Sequence, residues 1–475
     1  MSDNYDVIII GAGSTGMPTG ILAAERGARV LQIEADNRIG GTLYWSSGQM
    51  SAAGTRLQEA AGIDDSAEEH YQDAMRICNG TMDPALGRKA IDNASETLDW
   101  LMDLGFEPLP GHPVAGSAHE PYRTRRYCWG EKLGVSVLEA MTPPFEELVA
   151  DGRIDLRLET KFTRLVQDDS GAVSGVQVET PAGETETHYG QNVVLASGGY
   201  AANLDMWAEI TPQFTLTSYC NPFSRGDGIR AAQQLGASVT GGEAFLTTVA
   251  GFRQVAEDPL SGAHLRLNPA IRKPWEFYVD GEGKRFVRED HPSIDHIERA
   301  VLALPDFTLY VIFDEPMRQN APVITLETRE EMAARFGRHA HFLKSDSLAG
   351  LAAQIGADPE TLERTTAQFN EAVESRHDPE FGREHMIRPI GTPPFYAVKA
   401  VGFTVISPAG VDVDADLRVL RGDGSAIPNL YAAGEALGFA KLSGNAFVGG
   451  MSLTPAITFG RLLGRDILSW ENGGG

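Results

Sequence analysis

Cysteine is scarce in this chain. Cys78, Cys128 and Cys220 stand far apart and fit neither a metal-binding nor a redox spacing, so no metal site is expected. No Cys-x-x-Cys-His occurs, which excludes a covalently attached haem. Long apolar runs are missing too: no stretch of about 18 apolar residues is present, so no membrane span is expected. No run of about five or more like charges suggests an interaction tail. The acidic start, Met1 to Asp6, lacks the basic segment and apolar stretch of a secretory signal, and a reduced, cytoplasmic protein is the expectation. Positive charge is in deficit, with 40 Lys and Arg against 65 Asp and Glu, a net charge of −25. That balance argues against nucleic acid or an anionic membrane as a partner.

Glycine, by contrast, is plentiful. There are 52 in 475 residues, above the usual ~7%, and they cluster. The length suggests two or three domains. The first cluster follows Asp6-Val7-Ile8-Ile9-Ile10, an apolar β-branched run suited to a buried parallel strand. It reads Gly11-Ala12-Gly13-Ser14-Thr15-Gly16 and leads into a helical stretch that stops near Gly27. A second apolar strand, Ala28 to Ile33, ends on Glu34-Ala35. Strand, glycines, helix, strand and acid in this order form a dinucleotide-binding fingerprint. Gly11 permits the tight turn, Gly13 lets the backbone approach a pyrophosphate, and Gly16 lets helix and strand pack closely. The helix N-terminus offers free N–H groups to the phosphates. Glu34 is placed to bind a ribose diol, and its charge disfavours a ribose phosphate.

Further motifs follow. Gly40-Gly41-Thr42 precedes Ser47-Gly48, and Ser197-Gly198 ends the apolar run Val193 to Ala196. Near the far end lie Pro428 to Gly434-Glu435, then Ser443-Gly444-Asn445-Ala446-Phe447-Val448-Gly449-Gly450 and Pro455 to Gly460. With these motifs the chain resembles the FAD-dependent fumarate reductase and succinate dehydrogenase flavoprotein superfamily. Its C-terminal glycine-rich segment is most similar to the 3-ketosteroid dehydrogenase branch. The resemblance implies FAD as cofactor, with Gly40, Gly41, Thr42, Ser47 and Gly48 along the flavin. It implies that Ser197, Gly198, Gly434, Glu435 and Asn445 also approach the cofactor, and that Ser452 and Leu453 meet its pyrimidine end. No histidine lies between Arg38 and Gly54, where some relatives attach flavin covalently, so non-covalent FAD is expected.

The implied fold is α/β: a discontinuous Rossmann-like FAD-binding domain, residues 1–240 and 386–475, interrupted by an α+β capping domain at 241–385. In the cap, Phe277 to Glu289 reads as two strands about the Asp280 to Gly283 turn, followed by strand Thr308 to Phe313 and helices across Ser347 to Arg376.

A flavin exchanges hydride at N5, and the protein supplies position and proton transfer. The resemblance implies chemistry on a CH–CH or C=C bond beside a carbonyl. The charged groups of fumarate reductases are largely replaced here. Ser293 stands where a cap arginine or tyrosine is expected, no histidine occurs at Phe403-Thr404-Val405, and Lys441 replaces an arginine. Phe447 takes the place of a tyrosine that would donate to a substrate carbonyl, and phenylalanine cannot donate. Backbone N–H groups of Gly449, Gly450 and Met451 are candidates for that role.

For the missing acid or base, the segment Tyr122 to Gly130 offers Tyr127 with Arg126, and then Tyr122, on the expectation that guanidinium groups lower a tyrosine pKa. His291 and His296 flank Ser293 and are further candidates. Tyr44 and Trp45 are expected either to face the substrate or to pack in the core; Lys441 either touches an oxygen or forms a structural ion pair. The leading expectation is desaturation of a bulky or cyclic apolar carbonyl compound, with an unidentified electron acceptor. An ene reductase running in reverse, and a non-catalytic flavin-binding protein, are the alternatives.

Overall fold

The computed structural model describes residues 4–116, 119–211, 217–218, 220–243 and 248–469. The first apolar run forms strand Asn4–Ile10, with Val7 to Ile10 fully buried. It pairs in parallel with Val30–Ile33 on one side and Thr185–Leu195 on the other. Ile154–Arg157 and Ala426–Ala432 extend the parallel core outward. Parallel strands covered on both faces need near-continuous apolar sequence, which Val7 to Ile10 and Val193 to Leu195 supply. Three antiparallel strands, Lys161–Gln167, Val173–Glu179 and Arg418–Leu420, complete an eight-stranded sheet. Because paired residues of neighbouring strands lie up to 237 positions apart, at Leu430 and Val193 for instance, the sheet closes only when the chain returns near its far end.

Helix Gly16–Glu25 crosses from the first strand to the second and packs against the last helix, Leu453–Asp466. Glycines make that contact close. A Cβ on Gly460 would lie 2.4 Å from the Thr15 carbonyl oxygen, and one on Gly464 2.5 Å from that of Thr19. The packing sets the two helix N-termini beside one another at the C-terminal ends of the parallel strands, where doubly wound sheets bind ligands.

A second sheet has seven strands, most of them from the span expected to form the cap. Its centre is Phe395–Thr404, flanked by Thr308–Asp314, Thr248–Arg253 and Phe342–Ser345. Thr217–Ser218 joins in parallel. This sheet therefore draws on chain from both sides of the 241–385 span. The expected second strand of the Phe277 to Glu289 hairpin does not form: past Phe277–Val279 the return leg pairs only at Arg285. The cause is a buried charge cluster. The Arg285 guanidinium holds Glu289 and Asp378 at 2.8 Å, and Glu289 also accepts the Tyr278 N–H, drawing the chain out of register. Helices Leu348–Ile355 and Pro359–Ser375 occupy the expected helical stretch. Among the described residues no helix is long and apolar enough to cross a membrane.

Candidate active site

An open cleft with about 1080 Å³ of empty volume lies at the strand ends. Backbone elements dominate its walls. Gly13, Ser14 and Thr15 bring the first helix's N-terminus into it, and Ser452, Leu453 and Ala456 bring the last helix's. Neither N-terminus carries a side-chain cap, so both present N–H groups and partial positive charge to a ligand. Glu34 lines one end. Its carboxylate accepts the Ala12 N–H at 2.8 Å and the Asp36 N–H at 2.9 Å, and burial, opposed by these bonds, raises its pKa. Two lone-pair sites remain for a diol. Glu435 lines the other part, with one oxygen held by the Ser407 N–H and Oγ at 2.8 Å; burial raises its pKa against those bonds.

A dinucleotide fits this donor set. The Ser197 Oγ is buried at the cleft and has no hydrogen-bond partner among the described residues. Around Gly13 a Cβ would find nothing nearer than 3.9 Å, so the backbone there is open to close approach. Gly11 is different: at φ 103° it sits 2.4 Å, measured from an added Cβ, from the Ala196 carbonyl oxygen.

Of the residues expected at the cofactor, Gly11, Gly13, Ser14, Thr15, Glu34, Ala35, Gly41, Thr42, Ser197, Gly198, Glu435, Ser452 and Leu453 line the cleft. The others shape it from behind. An added Cβ on Gly16 would meet the Gly11 carbonyl oxygen at 1.9 Å, and one on Gly434 the Thr15 hydroxyl at 2.3 Å. Gly40 packs beside Leu138 and Gly48 against the Leu133 backbone. Ser47 is exposed. Asn445 is turned away and bound to Thr81, whose Oγ1 accepts its N–H at 2.9 Å and donates to its Oδ1 at 3.2 Å. Thr160, Phe162, Asn221, Phe223, Ser224, Asp227 and Ile406 line the cleft without having been expected.

The expected substrate side is more altered. Lys441 is buried with its Nζ 2.8 Å from the Gly410 and Leu437 carbonyl oxygens and 3.2 Å from Asp412. Of its two expected roles, the structural ion pair is the one present. Burial lowers its pKa, and the Asp412 charge opposes that. Tyr44 and Trp45 lie neither in the core nor on the cleft; both are exposed, and Arg38 stacks 3.7 Å from the Tyr44 ring centroid. The Met451 N–H is spent on the Val448 carbonyl at 3.0 Å, which removes it from carbonyl binding. Gly449 lies against the Tyr127 ring and Gly450 against Ser51.

Arg126 does not activate a tyrosine. Its fully buried guanidinium is clamped by Asp65 at 2.7 Å and Asp73 at 2.8 Å, carboxylates that are themselves buried. Burial raises the pKa of Tyr122 and Tyr127 above the ordinary phenol value, the opposite of the expected direction. Tyr122 donates to the Gly449 carbonyl and lies 3.2 Å from Ser51 Oγ; Tyr127 sits edge-on to Trp129. Ser293 caps helix Ile294–Leu302, accepting the Asp295 N–H and donating to Asp295 Oδ2 at 3.1 Å. His291 accepts the Ser293 N–H, and its ring stacks on His296 at 4.3 Å.

One residue brought to this side was not foreseen. His119 stacks on Phe447, with ring centroids 4.1 Å apart, and its Nδ1 lies 2.7 Å from Asp295 Oδ1. Glu298 Oε2 is 3.7 Å away. Possible ligand atoms of His119, Asp295 and Glu298 all lie within 4.8 Å of one another. Two ligands on one tetrahedral metal stand about 3.3 Å apart, so the 2.7 Å contact of His119 with Asp295 is a direct hydrogen bond. The sequence held no signal for it: 176 positions separate the partners.

The family described as FAD binding domain matches residues 6–453. The chain is 29% identical to "Fumarate reductase (cytochrome)" of Shewanella frigidimarina, over 99% of its own length and 78% of the relative's. It is 28% identical to the urocanate reductase of Eggerthella lenta, over 98% and 75% respectively. In fold it is similar to a flavocytochrome c3 fumarate reductase, with a TM-score of 0.74 at 26% identity over 98% of this chain and 78% of that one, and to the 3-ketosteroid Δ1-dehydrogenase of Sterolibacterium denitrificans, with a TM-score of 0.79 at 21% identity over 99% and 100%.

Proposed function

Starting from the premise that the chain belongs to the FAD binding domain family, we propose that it interconverts the C=C and CH–CH bonds of a bulky, neutral carbonyl compound. The coarser statement needs no proposal: it is an FAD-dependent oxidoreductase acting on CH–CH bonds. FAD is held non-covalently by Gly11, Gly13, the two helix N-termini, Glu34 and Glu435. When bound, the flavin takes or gives a hydride, and an external carrier balances its two electrons.

The observation that carries the substrate class is the sequestered Lys441. Its ammonium is committed to backbone carbonyls and Asp412, so it has no bond to spare for a substrate carboxylate. Phe447, stacked on His119 through one face, has no donor for a carboxylate and suits an apolar group better than a small diacid. The reductive direction is favoured because both curated relatives are named as reductases; desaturation, the direction first expected, is the same site in reverse.

The test mixes anaerobic, dye-reduced holoenzyme with 2-cyclohexenone, 4-androstene-3,17-dione and fumarate. Reoxidation of the flavin by an enone supports the reading. If only oxidised enzyme reacts, and only with saturated ketones, the desaturase direction replaces it.

A further inference from the structure

The geometry points to His119 as the proton-transferring residue of this site, with Asp295 as the group that positions it. The inference deepens the proposed carbonyl reading and rests on it. The chemistry requires such a group. Saturating a C=C bond beside a carbonyl adds one hydride and one proton, and the flavin accounts only for the hydride and its two electrons. The proton must come from a side chain that can be recharged from solvent. Tyr122 and Tyr127 are poorly suited, since burial holds their protons tightly, and Ser293 is engaged as a helix cap.

His119 meets the requirement in three ways. Its Nδ1 is fixed by Asp295, which leaves Nε2 as the exchanging nitrogen; that atom makes no hydrogen bond among the described residues. A carboxylate on one ring nitrogen sets the tautomer and stabilises the imidazolium, the logic by which histidines are oriented for proton transfer. Second, the ring is neither sealed nor loose. Its side chain is 23% exposed and its face lies on Phe447, in the glycine-rich segment that runs into the cleft at Ser452. Third, the partner is rigid. Asp295 is buried in the first turn of helix Ile294–Leu302, and its Oδ2 takes the Glu120 N–H at 2.8 Å and the Ser293 hydroxyl at 3.1 Å.

The charged groups facing the ring are Asp295 and Glu298 of the cap helix. Neighbouring Glu120 is paired with Arg76. Burial opposes charge on His119, but the Asp295 bond and the Glu298 charge outweigh it and raise the pKa. The two carboxylates thus favour the imidazolium over the neutral ring. In the saturating direction Nε2–H gives its proton to the substrate carbon beside the carbonyl and is then reprotonated from water. In the reverse direction neutral Nε2 removes that proton.

Two measurements on the holoenzyme test the assignment. With oxidised flavin and no electron donor, exchange of the α-hydrogens of cyclohexanone with deuterium oxide reads proton transfer alone. His119→Gln is expected to slow it by about 100-fold or more, with the flavin spectrum retained. Asp295→Asn is expected to slow it less and to move its pH profile downward, because the imidazolium loses its partner. The second measurement is ¹³C NMR titration of labelled histidine, in which the His119 midpoint lies above the ordinary ~6.5 in wild type and falls in Asp295→Asn. Unchanged exchange in His119→Gln, or a His119 midpoint indifferent to Asp295→Asn, overturns the proposal. So does exchange that needs an added divalent cation and stops with a chelator. If wild type exchanges no α-hydrogens of cyclohexanone, the proposal is also overturned for this substrate class. Reoxidation of reduced flavin by fumarate alone would instead sink the neutral-substrate reading, and the titration would still judge the histidine.

Discussion

The cofactor cleft and the contact between cap and segment Val114 to Trp129 solve different problems with different materials. The cleft is a backbone construction: uncapped helix ends, glycines against carbonyls, and two carboxylates fixed by N–H groups. That segment is held by side chains: His119 reaches Asp295 of the cap, while outside the cap Tyr122 reaches the Gly449 carbonyl and Arg126 is clamped between Asp65 and Asp73. Backbone sites tolerate few substitutions because the colliding partner cannot move, whereas a side-chain site can be re-equipped residue by residue. Such a division lets a cofactor site persist while the residues around it change.

The sharpest way to break that contrast is to fill the backbone site. Gly16→Val would push a Cβ to 1.9 Å from the Gly11 carbonyl oxygen, and the expected result is protein without bound flavin, read from its absorbance. A yellow, fully loaded variant would mean that the cleft is not built as described. The next largest effect belongs to the buried ion cluster. Arg126→Met leaves Asp65 buried without its cation and Asp73 with only Arg76 and Arg123, and a loss of about 3–5 kcal/mol in denaturant unfolding is expected. Flavin should still bind to whatever fraction is folded.

Smaller and more diagnostic is the pH dependence of the His119–Asp295 contact. Asp295 has a lowered pKa, because the His119 bond and charge outweigh burial. Its contribution is present above the unfolded value of about 3.9 and is lost as pH falls through the lower folded value. His119 is raised, so its contribution is complete below about 6.5 and is lost as pH climbs through the higher folded value. The Tm difference between wild type and His119→Gln should therefore be greatest between about pH 4 and 6.5 and shrink on either side. A flat difference would argue against the ion pair. The least effect is expected from Tyr127→Phe, which should change turnover by less than about tenfold, since the hydroxyl is not the proton source. A loss of about 100-fold or more would return Tyr127 to the chemistry.

The same contrast decides what could be read in advance. Glycine spacings report backbone geometry directly, so the gathering of Gly11, Gly13 and Glu34 at one cleft, with Gly16 packed behind Gly11, is legible in the chain. Thr160 and Phe162 were not. They reach the cleft because Ile154–Arg157 pairs in register with Val30–Ile33, and a register between distant strands leaves no local mark. Phe395–Thr404 was likewise read with the returning FAD segment, yet its partners are cap strands. Arg126 beside tyrosines looked like an activating cation because adjacent sequence shows neighbours, not competitors; Asp65 and Asp73 were nearer. His119 was invisible for the same reason in reverse. Its value comes entirely from Asp295 and Phe447, and nothing around it in the chain announces either.

The central claim is that this is an FAD-dependent enzyme whose substrate is neutral and bulky. The most direct measurement is the rate at which dye-reduced, flavin-loaded protein is reoxidised by 4-androstene-3,17-dione and by fumarate under identical anaerobic conditions. The account predicts a preference for the enone of at least about 100-fold in kcat/KM, as a dianion would have to do without Lys441, which is held by backbone carbonyls and Asp412. A preference for fumarate of any size would contradict it.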